Sequence, residues 1–223
     1  MEFIHAIELC NFYPCHNIGI DGRLRSPNLM ALTDPEGIGR SQKRIDSYPI
    51  DDIKNGKAQL GAVTPRLVAV GIEAALLRND MKIIDGYGRE ILYSEPGRAE
   101  KIKRADIELE FEHYRRQYYP EKISRLTCIY LADRTDAGKD LIHSMLGPEV
   151  EILEVKSSFC LGITKADVSW YDQYALNPKQ EYIENYWSGV QFSERETWEY
   201  LFDGCIEIED ESLLRVLNDG ASL

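Results

Sequence analysis

The chain has 223 residues, of which 43% are hydrophobic and 29% charged, enough to bury a full core without disulfides or metal ions. Acids outnumber bases by twelve, so capture of a polyphosphate backbone is unfavourable and duplex DNA is not an expected partner. The longest apolar run, Leu67 to Leu77, is short and broken by Glu73, and the first eight residues lack a basic stretch leading into an apolar one, so a cytoplasmic protein that stays off the membrane is expected.

Residues 2–8 are rich in β-formers and predict a strand with His5 at its middle. Residues 21–62 carry Gly, Pro, Asp and Asn at many points with little periodicity, which predicts a long loop-rich excursion. Thr64-Pro65, followed by apolar positions 68, 72, 75 and 76, predicts a capped helix ending near Asn79-Asp80. Residues 81–93 read as a β-hairpin turning at Asp85-Gly86, and residues 97–118 have the spacing of an amphipathic helix stopped by Pro120. Beyond it come a strand at Leu126–Leu131, a helix at Thr135–Met145, an alternating strand at Glu149–Val155, a short helix at Glu181–Trp187, and one or two strands in 197–202 and 205–208. Strands and helices follow one another without a regular βαβ repeat, which favours an α+β fold: a split, antiparallel-rich β-sheet core with flanking helices. The domain expectation is a single domain over residues 1–223 with a loop-rich and helical insertion at about 21–120.

The usual catalytic signatures are missing. Gly37-Ile-Gly39 and Gly86-Tyr-Gly88 lack the third glycine of a dinucleotide loop, and Asp136-Ala-Gly-Lys139 lacks the first glycine and the hydroxyl of a phosphate loop. Four scattered histidines and five scattered cysteines support neither a metal site nor a disulfide framework, so no metal is expected. No G-x-S-x-G elbow is present.

Three polar residues stand where strands call for apolar ones: His5, Tyr130 in Cys128-Ile-Tyr-Leu131, and Glu199 in Trp198-Glu-Tyr-Leu-Phe202. Each also has an ordinary reading, as a satisfied histidine, a core aromatic and the polar face of an edge strand. In this order, and with Cys128-Ile-Tyr-Leu-Ala-Asp-Arg-Thr-Asp-Ala137 leading into Gly138-Lys-Asp-Leu141, they resemble the ADP-ribosyltransferase superfamily. One large branch of that superfamily draws a His, a Tyr and a Glu from three strands. The local match is to rifampin ADP-ribosyltransferases and, more loosely, RNA 2′-phosphotransferases, over about a third of the chain; Ala6-Ile7 replaces the Gly-Thr common after the histidine.

The resemblance implies an ADP-ribosyltransferase-like fold and an NAD-dependent transferase, a glycosyltransferase that passes ADP-ribose to an unknown acceptor and releases nicotinamide. Glu199 and Tyr130 would be catalytic, the carboxylate steadying positive charge on the ribose and the ring stacking on the cationic nicotinamide. His5 would anchor the adenosine-side ribose. Ser124, Arg125 and Thr127, just before the tyrosine strand, would meet the pyrophosphate. Asp167 and Asp172 are alternatives to Glu199, because the rifampin-modifying branch uses an aspartate. Two competing readings stay open. One is RNA 2′-phosphate transfer with NAD chemistry, which calls for basic residues that this chain mostly lacks. The other is a non-catalytic acidic interaction protein on the same fold, binding a basic partner through Tyr182, Tyr186, Trp187 and Trp198.

Overall fold

The computed structural model describes residues 2–9, 12–34, 36–37, 44–58, 63–84, 88–208 and 214; Cys10 and the expected turn at Asp85-Gly86 lie outside them. In chain order the elements are β1 (Phe3–Ile7), α1 (Phe12–Asp21), β2 (Arg23–Arg25), α2 (Pro27–Thr33), a 3-10 turn (Ile45–Ser47), α3 (Ile50–Lys54), α4 (Pro65–Val68), a π-helical turn (Ala69–Glu73), α5 (Ala74–Arg78), β3 (Ile83–Ile84) and β4 (Glu90–Ile91). They continue with α6 (Glu95–Tyr118), β5 (Ile129–Asp133), α7 (Asp136–Leu146), β6 (Glu151–Asp167), α8 (Ser169–Leu176), α9 (Gln180–Ser188) and β7 (Trp198–Ile208). The fold is mixed α/β, an antiparallel sheet with helices beside it. The chain divides into two compact units, Met1–Leu29 with Cys128–Leu223, and Met30–Thr127. Among the described residues no helix is long and apolar enough to cross a membrane.

In the first unit the strands run β2-β7-β5-β1-β6, and β6 also pairs with β7. Val155 shows how this arises: it pairs with Phe3 of β1 on one side and with Ile208 of β7 on the other, so β6 leaves β1 and continues along β7. Alternation gives the sheet two different faces. Phe3 and Ile7, Ile129 and Leu131, Leu153 and Val155, and Tyr200, Phe202, Ile206 and Ile208 build one core, to which α1 adds Cys15 and Ile18. Burying each large apolar side chain there contributes roughly 1.5–3 kcal/mol. Ile4 and Ala132 face the other way, onto Ile142 of α7 and Val150.

The turn from β5 into α7 is tight. Thr135 Oγ1 caps the helix by accepting from Gly138 N–H at 3.1 Å. Gly138 lies so close to the Asp133 carbonyl that a Cβ would collide with backbone, which explains glycine at this position.

One strand expectation fell short: the strand placed at 149–155 runs on to Asp167. Of the one or two final strands expected, the chain makes one, Trp198–Ile208. A buried polar residue passes through β7 because Asp203 is satisfied there, by Ser26 Oγ at 2.5 Å and Asn28 Nδ2 at 2.8 Å. Ser26 also caps α2 by accepting from Leu29 N–H. The excursion expected over 21–62 is therefore not loop alone. It holds β2, α2, a 3-10 turn and α3, with Pro27 opening one helix and Pro49 capping another.

In the second unit Thr64 Oγ1 caps α4 at Leu67 N–H, 3.1 Å, and donates to the Leu126 carbonyl at 2.6 Å. β3 and β4 form the expected hairpin. Ile45, Ile53, Leu67, Val70, Leu109 and Leu126 lie in the core of this unit. Along α6 two buried glutamates one turn apart organise the polar interior. Glu108 is bound by Arg66 and Arg125, and Glu112 by Arg115, Arg116 and Ser124.

Candidate functional site

The residues singled out by sequence divide between the two faces of one sheet and the second unit. β5 lies between β1 and β7, so His5, Tyr130 and Glu199 sit on three adjacent strands. Tyr130 is opposite Leu201 and Ala132 is opposite Glu199, which makes Tyr130 and Glu199 diagonal neighbours on one face, with Cβ atoms about 7 Å apart. His5 shares the parity of Phe3 and Ile7, and so belongs to the opposite face. Its ring still reaches across the strand gap, where Nδ1 donates to the Tyr130 carbonyl at 2.8 Å. Because a carbonyl only accepts, that bond fixes the proton on Nδ1 and leaves Nε2 as the acceptor of a neutral ring. Burial holds the His5 pKa below its usual value, partly offset by the Tyr130 bond.

Glu199 is buried, at 3% exposure, and its strand neighbours on both sides are small: Ala132 on β5 and Ala166 on β6. Tyr186 of α9 fills the room above them and donates its hydroxyl to Glu199 Oε1 at 2.7 Å. Ile183, Tyr186 and Trp187 are the buried face of α9, and the rings of Tyr186 and Trp187 meet edge to face. Tyr186 and Trp187 are therefore not an exposed docking surface, contrary to expectation; Tyr182 and Trp198 are half-buried. The helical spacing of Ile183 with Tyr186 and Trp187 is the sequence signal that would have placed them inside.

The alternative acids have other duties. Asp167 is fully buried; Oδ1 accepts from Ser169 N–H at 3.0 Å and Thr197 Oγ1 at 2.5 Å, and Oδ2 from Phe192 N–H at 2.9 Å. It ties the end of β6 to the start of α8 and to the loop leading into β7. Asp172 is exposed on α8.

Ser124, Arg125 and Thr127 are buried in the second unit. Arg125 grips Glu108 with Nε at 2.9 Å and Nη2 at 3.1 Å, and Ser124 Oγ donates to Glu112 Oε2 at 2.7 Å. Two nitrogens of the guanidinium and the serine hydroxyl expected to meet a pyrophosphate are thus engaged by carboxylates of α6.

Sequence reasoning passed over a second polar cluster, on the His5 side of the sheet. Tyr200 donates to Asp133 Oδ2 at 3.0 Å, and burial together with that carboxylate pushes the phenol pKa up. Lys165 Nζ lies 4.1 Å from the Trp198 ring centre. A shallow depression at the start of α7, lined by Asp133, Thr135, Leu141, Glu196 and Trp198, adjoins this cluster and contains none of the three singled-out residues. Among the described residues no group of His, Cys, Asp and Glu is arranged to hold a metal.

A comparison of the chain with curated proteins finds no match. One family profile does match, over residues 80–213, a span that takes in α6, β5 to β7 and the helices between them. That is well over half of the 223 residues, and the chain belongs to this family, DUF2441, described as a protein of unknown function.

Proposed function

We propose that the first unit is an ADP-ribosyltransferase-like domain that transfers ADP-ribose from NAD, with Tyr130 and Glu199 at the nicotinamide ribose. The observation that carries this reading is the order of strands β1, β5 and β7 as neighbours, with Tyr130 and Glu199 on one face and His5 bonded to the Tyr130 main chain. In the reaction the bond from ribose C1′ to nicotinamide nitrogen breaks, and nicotinamide leaves with the electron pair. The acceptor nucleophile bonds to C1′ and gives up its proton to Glu199. A carboxylate fixed beside the ribose stabilises the positive charge that develops there, and its burial strengthens the effect. His5 does not share the face, so in this reading it is a positioning residue that fixes the strand carrying Tyr130. Donor binding requires Tyr186 to release Glu199, with a ribose hydroxyl taking over the hydrogen bond to Oε1.

The burial of Glu199 beneath Tyr186 favours a second reading, a non-catalytic interaction protein on the same fold. Titration calorimetry with NAD separates the two. The transferase binds NAD with measurable heat, and Tyr130→Ala weakens that binding in a protein that stays folded. Absence of heat and of any thermal shift at millimolar NAD would overturn the transferase reading.

A further inference from the structure

The half of β6 that follows Val155 is bonded to β7 along one edge, and its other edge meets no strand among the described residues. Such an edge can take on an extended chain as a further strand. This one is also apolar: Phe159, Leu161 and Ile163 are 53%, 41% and 43% exposed. Lys156 and Lys165 bracket it, both exposed, and no acid lies between them. Lys156 is held only loosely, 3.6 Å from Glu207.

We propose that this edge receives an extended segment of a partner protein, with apolar side chains at its centre and a carboxylate near each end. This docking edge is independent of the transferase reading. Lysines and the two bulges of β6, between Ser157 and Phe159 and between Cys160 and Gly162, are features that discourage indiscriminate pairing. The lysines also select against a second copy of the chain. In antiparallel self-pairing about the midpoint of Cys160 and Leu161, Lys156 opposes Lys165 at both ends, and like charges directly opposite are destabilising. A segment with carboxylates at those two places makes an ion pair at each end instead. Between its two lysines this stretch carries no acid, so on a chain of net charge −12 it presents a local excess of positive charge to an acidic-ended partner.

The test uses a fluorescein-labelled, capped decapeptide of alternating threonine and valine with glutamate at both ends, and the same peptide with lysine ends. Fluorescence anisotropy with the full chain is expected to give binding about three- to tenfold tighter for the glutamate-ended peptide, the range that two partly screened cross-strand ion pairs allow. Lys156→Glu with Lys165→Glu should reverse that preference, and amide exchange should slow over residues 156–165 when the glutamate-ended peptide is bound. Both substitutions are at exposed positions, and unchanged circular dichroism checks that the fold is kept. Failure of the glutamate-ended peptide to bind, equal binding of the two, or a dimer in light scattering that Leu161→Lys dissolves would each overturn the proposal, the last by making a second copy the occupant.

Discussion

Arg125→Met tests the assignment of the buried ion pairs along α6 as structural. The side chain is 1% exposed and makes a two-pronged contact to Glu108. Breaking a buried pair from one side costs about 3–5 kcal/mol, because the remaining charge stays buried without its partner. Glu108 keeps Arg66, which is itself 26% exposed, so the loss for Arg125→Met should fall below that range, to about 2–3 kcal/mol. For a chain of this length that lowers Tm by roughly 4–12 °C. Glu108→Leu leaves the Arg125 guanidinium buried opposite an alkyl group and should lose the full 3–5 kcal/mol or so. The double variant Glu108→Leu with Arg125→Met removes both charges and should recover most of that loss, since a buried pair replaced by apolar groups of similar volume is often neutral. Thermal unfolding followed by near-ultraviolet circular dichroism measures all three. If Arg125→Met melts with the parent while weakening NAD binding, the side chain belongs to a ligand site and the structural assignment is wrong.

Gly138→Ala sets a Cβ against the Asp133 carbonyl and should destabilise the first unit by about 3 kcal/mol, read as a lowered urea midpoint; an unchanged midpoint would mean that the β5–α7 turn relaxes freely. His5 contributes a pH dependence of definite sign. Its folded pKa lies below the unfolded value near 6.5, so the unfolded chain binds more protons in that window, and stability present above pH 6.5 is lost as pH falls through it. His5→Gln should flatten the change in urea midpoint between pH 7.5 and pH 5.5, and a slope equal to the parent's would assign the effect elsewhere.

Much of the secondary structure was legible where local chemistry is decisive. Thr64-Pro65 opens a helix, Thr135 caps another, and the α6 stripe has helical spacing, because caps and periodicity act over a single turn. The continuation of β6 past Val155 was not legible. Lys156-Ser-Ser-Phe-Cys-Leu-Gly has no clean alternation, and the strand exists because β7 pairs with it across two bulges. α1 and α8 carry few start and stop signals and were also missed. At the site, sequence order identified three strands that do become neighbours. It could not give parity, and one residue of register decides that His5 faces away from Tyr130 and Glu199. It also could not see that the hydroxyl of Tyr186 would reach Glu199, or that Ser124 and Arg125 would be engaged by acids on α6, because both depend on tertiary packing.

The central claim is that Glu199 acts on the ribose of NAD, and label transfer tests it most directly. The parent and Glu199→Gln, an isosteric change that keeps a hydrogen-bond acceptor for Tyr186, are incubated with NAD labelled in the adenylate and with cell extract. The parent is expected to label an acceptor and release nicotinamide, and Glu199→Gln to do neither while its near-ultraviolet spectrum matches the parent's. Equal labelling by parent and variant, or none by the parent at millimolar NAD, would contradict it.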